Sequence, residues 1–238
     1  MAVPRLFLAF DGLREKPDET IVTMHRLAET GKPFGIKFNL DAMLHTGDEP
    51  LYFFIDKITR LGLPVFGDLK MWNGSRTMEA VIKTFVALGV DFVNVYALAD
   101  RKQLEKAVKA TEGSKTKILG LTVLSHYDDA YCQKWFKRTV REAVVDFSRF
   151  ALEAGLHGIL LPGTMLGEVN DLDTIKAATG VRPKWYTDSR HEQEATPAEV
   201  VKGGATFGVC GSPILKQPTD TERIAAFLRI LDEMQAVA

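Results

Sequence analysis

Asp68 and Lys70 stand two residues apart in the stretch Pro64-Val65-Phe66-Gly67-Asp68-Leu69-Lys70-Met71-Trp72-Asn73. Its apolar part, Val65 to Leu69, has the length and flanking of a buried strand. Side chains two apart on a strand share a face, so a carboxylate and an ammonium point the same way at its end. A structural ion pair accounts for an isolated D-x-K. The company of this one suggests more: Asp11 follows the apolar run Leu6–Phe10, and Lys37 lies inside the run Phe34–Phe38. Two lysines and two carboxylates at the ends of the first three runs form a cluster that must be mutually paired if it is partly buried. The chemistry on offer is that of fixed charges. No H-E-x-x-H, cysteine cluster or carboxylate array argues for a metal.

The elements that must hold this cluster alternate along the chain. Apolar runs at Leu6–Phe10, Phe34–Phe38, Val65–Lys70, Val90–Tyr96, Ile118–Leu124, Gly158–Leu161, Lys184–Thr187 and Thr206–Cys210 read as strands, the seventh weakly. Helical periodicity falls between them, at Asp18–Thr30, Leu51–Leu61, Thr77–Leu88, Arg101–Ala110, Trp135–Ala154, Leu172–Ala178, from Thr196-Pro197 onward, and at Thr221–Met234. Gly31, Gly62, Gly89 and Gly155 close helices just before the next run. Eight β-then-α units favour a closed (β/α)8 barrel, with an open doubly wound sheet as the alternative. No G-x-G-x-x-G follows the first run to support the open sheet. A single barrel domain over 1–238 is the expectation.

In such a barrel, chemistry gathers where strands end. Those ends carry Asp11, Lys37, Asp68 with Lys70, Asn73, Asn94 with Tyr96, Thr122 with Ser125 and His126, Pro162, Asp188 and Gly211-Ser212. Composition adds bounds. The 238 residues carry a formal charge of -1 and are 46% hydrophobic, an ordinary globular balance with no electrostatic case for nucleic acid or an anionic membrane. No apolar run approaches a membrane span, and the N-terminal residues show no signal-peptide pattern. Cys132 and Cys210 are far apart and read as free thiols in a reducing cytoplasm. His25 and His45 read as surface residues, His157 as a turn residue, Asp128-Asp129 as a helix start, and Trp72 and Trp135 as packing or interface residues.

Phe66–Thr77, FGDLKMWNGSRT, resembles the F-x-D-L-K-x-x-D-I-P-x-T segment of the orotidine 5′-monophosphate decarboxylase family. Leu8-Ala9-Phe10-Asp11 resembles its first strand, Ile36-Lys37-Phe38 its K-V-G strand, and Gly89–Tyr96 its G-A-D-x-V-N-V-H. Leu121–Asp128 resembles T-V-L-T-S-M-D, Glu153–Leu156 resembles E-A-G-L, Thr179–Pro183 resembles P-G-I-R-P, and Gly204–Ile214 resembles G-A-D-x-x-V-V-G-R-P-I. The likeness spans nearly the whole chain.

The resemblance implies a cytoplasmic decarboxylase of pyrimidine biosynthesis that uses no cofactor and no metal. Lys37 would anchor the charged network and the ribose. Asp68 would face the substrate carboxylate, and Lys70 would stabilise the developing carbanion and protonate it. Asp11 would hold ribose, Thr77 would reach the ribose across a subunit boundary, and Pro183 would line a loop over the site. A homodimer with shared active sites is implied.

Four positions depart from the family pattern. Asn73 replaces the last Asp of D-x-K-x-x-D, removing a charge. Ser212 replaces a phosphate-binding Arg, leaving Gly211 and Ser212 with backbone and hydroxyl donors only. His191, with Arg190 beside it, falls where a phosphate-loop Gln is usual. His126 falls where a serine reads the pyrimidine, unless a one-residue slip puts Ser125 there. Two further readings stay open: a relative acting on another nucleotide or sugar-phosphate acid through a carbanion or enolate, and a non-catalytic binding protein.

Overall fold

A computed structural model of the chain describes residues 3–11, 16–40, 51–187 and 192–237, with 51–54 described by backbone alone. Eight strands form a closed, all-parallel barrel in chain order: β1 (Leu6–Ala9), β2 (Gly35–Asn39), β3 (Val65–Met71), β4 (Phe92–Tyr96), β5 (Lys117–Leu121), β6 (Gly158–Pro162), β7 (Ile175–Thr179) and β8 (Phe207–Cys210). β8 closes on β1 through Leu6↔Gly208 and Leu8↔Cys210. The intervening helices are α1 (Pro17–Ala28), α2 (Leu51–Thr59), α3 (Ser75–Ala87), α4 (Arg101–Lys109), α5 (Asp129–Phe136), α6 (Val140–Glu153), α7 (Pro197–Lys202), α8 (Ser212–Leu215) and α9 (Asp220–Gln235). Strands covered by helices outside and by side chains inside are apolar on both faces, which is why they read as runs rather than as alternations.

The inward faces build the site from below. Phe7, Phe66, Phe92 and Phe207 fill the barrel floor, with Phe7 and Phe207 ring centroids 4.3 Å apart. Gly35 makes room for this layer: a Cβ there would stand 2.3 Å from the Phe7 ring. Burying each ring contributes about 2–3 kcal/mol. Two residues further along each strand, the inward positions become Ala9, Asp68, Asn94, Leu121 and Val209. The aromatic floor therefore supports a mixed layer, in which Asp68 and Asn94 stand among the apolar Ala9, Leu121 and Val209.

Two helical expectations fail. The helix expected over Trp135–Ala154 is two helices, α5 and α6. Lys137 at the C-cap of α5 adopts φ 57°, and Thr139 starts α6 with a reciprocal cap to Glu142. Lys137 Nζ and Arg138 Nη1 donate to the Lys134 and Phe136 carbonyls, both at 3.0 Å, satisfying the end of α5. The second failure moves the seventh strand. Ile175–Thr179, expected to end a helix, is β7, and Lys184–Thr187 is not a strand. The Ala177-Ala178 pair has helical propensity, but β6 pairs with β7 along its whole length, Gly158↔Ile175 to Pro162↔Thr179, and β8 pairs on the other side. Tertiary pairing overrides local preference there. A 3-10 segment, Gly163–Val169, links β6 to β7 in place of the expected helix.

Candidate active site

The mouth of the barrel holds a cavity of about 180 Å³ at the carboxyl ends of the strands. Its lining includes Asp11, Lys37, Asn39, Asp68, Lys70 and Arg182. Ser125, His126, Gly211 and Ser212 also border it, over apolar walls from Ala9, Leu121, Leu160 and Val209. An adjoining cavity of about 340 Å³ shares Ala9, Asp11 and Ser212 with it and is edged by Lys16, Lys216 and Arg223.

Asp68 is the centre of the arrangement. It is 6% exposed, and one oxygen, Oδ2, lies 3.0 Å from Lys37 Nζ and 2.7 Å from Lys70 Nζ. The other, Oδ1, accepts a hydrogen bond of 2.7 Å from Asn94 Nδ2. Burial by itself would push the carboxyl up. Lys37 and then Lys70, with hydrogen bonds from Lys70 and Asn94, more than offset this and hold it at about 2. Asp68 is therefore ionised throughout the physiological range.

Lys37 is buried, and its ammonium also reaches the Asn39 side-chain oxygen and lies 3.7 Å from Asp11 Oδ1. Asn39 Nδ2 donates to Asp11 Oδ1 at 2.7 Å, so Asn39 ties the two charged residues together. Lys70 stands at the end of β3 with φ 47°, and the β3–β4 register slips between Gly67 and Met71. Asp68 and Lys70 do share the inner face, but through an irregular strand end and not a regular pleat.

Ser125 and Ser212 are buried against the cavity; His126 lines it from an exposed position. Asn73 and Thr77 are brought elsewhere. Both are exposed at the start of α3 and neither lines the cavity of its own chain. Pro183 is buried beside the cavity, but the residues of that loop that line it are Gly180 and Arg182. Gly180, at φ 71°, turns this loop so tightly that a Cβ would lie 2.1 Å from the Gln193 carbonyl oxygen. Arg190 and His191, like Asp188 and His45, lie outside the described residues.

Residues 4–227 match the family model described as Orotidine 5'-phosphate decarboxylase / HUMPS family. The chain belongs to this family. It is similar to an orotidine 5'-phosphate decarboxylase of Methylacidiphilum infernorum (isolate V4), 34% identical over 189 residues covering 77% of this chain and 80% of the relative. A relative of the same description from Heliobacterium modesticaldum is 29% identical, with 98% of this chain and 96% of the relative covered. Among solved structures, the orotidine 5'-phosphate decarboxylase of Lactobacillus acidophilus superposes with a TM-score of 0.77 at 23% identity, covering 98% of this chain and 99% of that one; this supports the barrel fold. The closed eight-stranded barrel agrees with the fold expected from the sequence.

Among the cavity residues that went unread in the sequence, Asn39 and Arg182 carry the strongest polar groups. Asn39 is two residues from Lys37 on one strand, so the same-face rule that linked Asp68 to Lys70 reaches it. Arg182 sits in the Thr179–Pro183 segment, one residue before Pro183. It is 7% exposed, and a buried guanidinium at a cavity wall is a strong sign of an anionic ligand or a fixed charge network. His157, by contrast, is structural: its Nδ1 accepts from the Ile118 backbone N–H at 3.0 Å, and burial lowers its pKa. No described helix is long and apolar enough to cross a membrane.

Proposed function

We propose that this chain decarboxylates orotidine 5′-monophosphate to UMP, without a cofactor, as a carboxy-lyase of pyrimidine biosynthesis. The observation that carries the reading is the buried, ionised Asp68 held between Lys37 and Lys70 at a barrel mouth. A substrate carboxylate set against Asp68 is repelled, which raises the ground state; the repulsion disappears as carbon dioxide leaves. The C–C bond to the carboxylate breaks, and its electron pair stays on the pyrimidine ring carbon. Lys70 Nζ stabilises that carbanion by its charge and then donates a proton to it, and solvent restores the ammonium. Fixed charges in a site shielded from water can supply a large share of such a barrier.

Binding divides along the cavity. Asp11, Lys37 and Asn39 form the polar edge suited to ribose hydroxyls, and Ser125 and His126 form the edge suited to the base. Arg182, with Ser212 and the Gly211 backbone, suits the phosphate, so a guanidinium from the loop after β7 takes the place of the one missing at position 212. Three cations, Lys37, Lys70 and Arg182, against two carboxylates, Asp11 and Asp68, favour an anionic substrate.

The working unit in this reading is a cytoplasmic homodimer of single-domain barrels, in which Asn73 and Thr77 serve the neighbouring site. Exposed aromatic side chains, Trp72 next to Asn73 among them, support this. Trp72 and Trp135 are 62% and 61% exposed, and Tyr131 stacks on Tyr127 with centroids 4.0 Å apart. Large exposed aromatic patches favour protein contacts. The test is loss of orotidylate ultraviolet absorbance on incubation with the protein, with Lys70→Ala as control. Turnover that falls by about three orders of magnitude in the variant is expected. An unimpaired variant refutes the mechanism. A folded, dimeric wild type without turnover points instead to another nucleotide or sugar phosphate.

A further inference from the structure

Lys70 does not reach Asp68 by ordinary strand geometry. A side chain other than glycine at φ 47° is uncommon, and such a conformation persists where its surroundings hold it. Between the paired positions Gly67↔Val93 and Met71↔Val95, the three residues Asp68, Leu69 and Lys70 face the single residue Asn94. Asn94 is fully buried. Its Oδ1 accepts from the Lys70 backbone N–H at 2.7 Å, and its Nδ2 donates to Asp68 Oδ1 at 2.7 Å.

The demands on this position are opposite and simultaneous. The Lys70 N–H can only donate, and an ionised carboxylate can only accept. One short planar group must offer an acceptor and a donor side by side. An amide does so. A carboxylate offers two acceptors, and an aliphatic isostere offers neither. Asn94 does not line the cavity, so it acts on a ligand only through the two residues that it holds.

We infer that Asn94 is the positioning residue that fixes Asp68 and Lys70 relative to each other, clamping the irregular end of β3 through its single amide. This rests on the decarboxylase reading for its kinetic consequence, but not for its structural one. Freed from the clamp, Lys70 relaxes toward ordinary strand geometry and its ammonium moves away from the reacting carbon. A displacement of about 1 Å at a reacting centre can cost about a hundredfold in rate.

The test compares Asn94→Leu and Asn94→Asp with wild type on orotidylate between pH 5 and pH 8, with melting temperatures in parallel. Asn94→Leu is expected to lose kcat by about a hundredfold at every pH, with KM within about threefold. Asn94→Asp is expected to lose as much at pH 8, where its carboxylate repels Asp68. Its deficit shrinks toward pH 5, because the protonated carboxyl regains a donor for Asp68 and keeps an acceptor for Lys70. A wild-type kcat in Asn94→Leu, or parallel pH profiles in the two variants, overturns the inference.

A third variant, Asn94→Ser, covers the case in which Leu does not fold. The 13C carboxyl titration of Asp68 in that variant is expected to move up from about 2; an unchanged titration overturns the inference. Absence of orotidylate turnover in the wild type refutes the decarboxylase reading alone, since the Asp68 titration still reports on Asn94.

Discussion

Replacing Asp68 with Asn keeps the shape of the side chain and removes the charge that Lys37 and Lys70 share. Asn is a fair mimic of the protonated carboxyl, so the size of the effect follows from the pKa. The folded value is about 2, against an ordinary value of about 3.9 in an unfolded chain. A depressed folded pKa stabilises the fold above the unfolded pKa, and that contribution is lost as pH falls through the folded pKa. At about 1.4 kcal/mol per pKa unit, ionised Asp68 contributes about 2–3 kcal/mol above pH 5 and about half of that at pH 3. Burial limits solvent screening here, since the Asp68 and Lys37 side chains are 7% and 6% exposed. Urea unfolding of wild type and Asp68→Asn, at half-unit steps from pH 6 to pH 3, reads the difference directly. The variant should be less stable by about 2–3 kcal/mol at pH 6, and the gap should halve by pH 3. An equally or more stable variant at pH 6, or a gap that does not close in acid, would mean that the lysines strain the site and do not hold Asp68 ionised.

Two further substitutions probe the departures from the family pattern. Asn73→Asp restores a carboxylate at an exposed position and should raise orotidylate turnover about tenfold, the effect of about 1.4 kcal/mol; a fall would show that Asn73 is suited to a different substrate. Arg182→Ala should raise KM for orotidylate about a hundredfold while leaving turnover of the unphosphorylated nucleoside nearly unchanged, because charge-assisted hydrogen bonds to phosphate are lost. Equal damage with both substrates would make Arg182 a structural residue.

The sequence by itself determined the repeating strand–helix order, the charged residues at the strand ends and the family. These are local properties: apolar runs, periodicity, glycine stops and short motifs survive in one dimension because each depends on near neighbours. It misplaced β7, where Ala-rich residues take a strand conformation because β6 and β8 pair with them, and it merged α5 with α6 across the left-handed turn at Lys137. The tertiary structure alone decided which strand-end residues share a cavity. It admitted Asn39 and Arg182, left Asn73 and Thr77 outside, and put buried Asn94 between Asp68 and the Lys70 backbone. The physical reason is that a carboxylate's ionisation and a strand's departure from regular pleating depend on donors and charges from other strands. Asn94 lies 26 residues from Asp68 in the chain, yet its amide is within a hydrogen bond of that carboxylate.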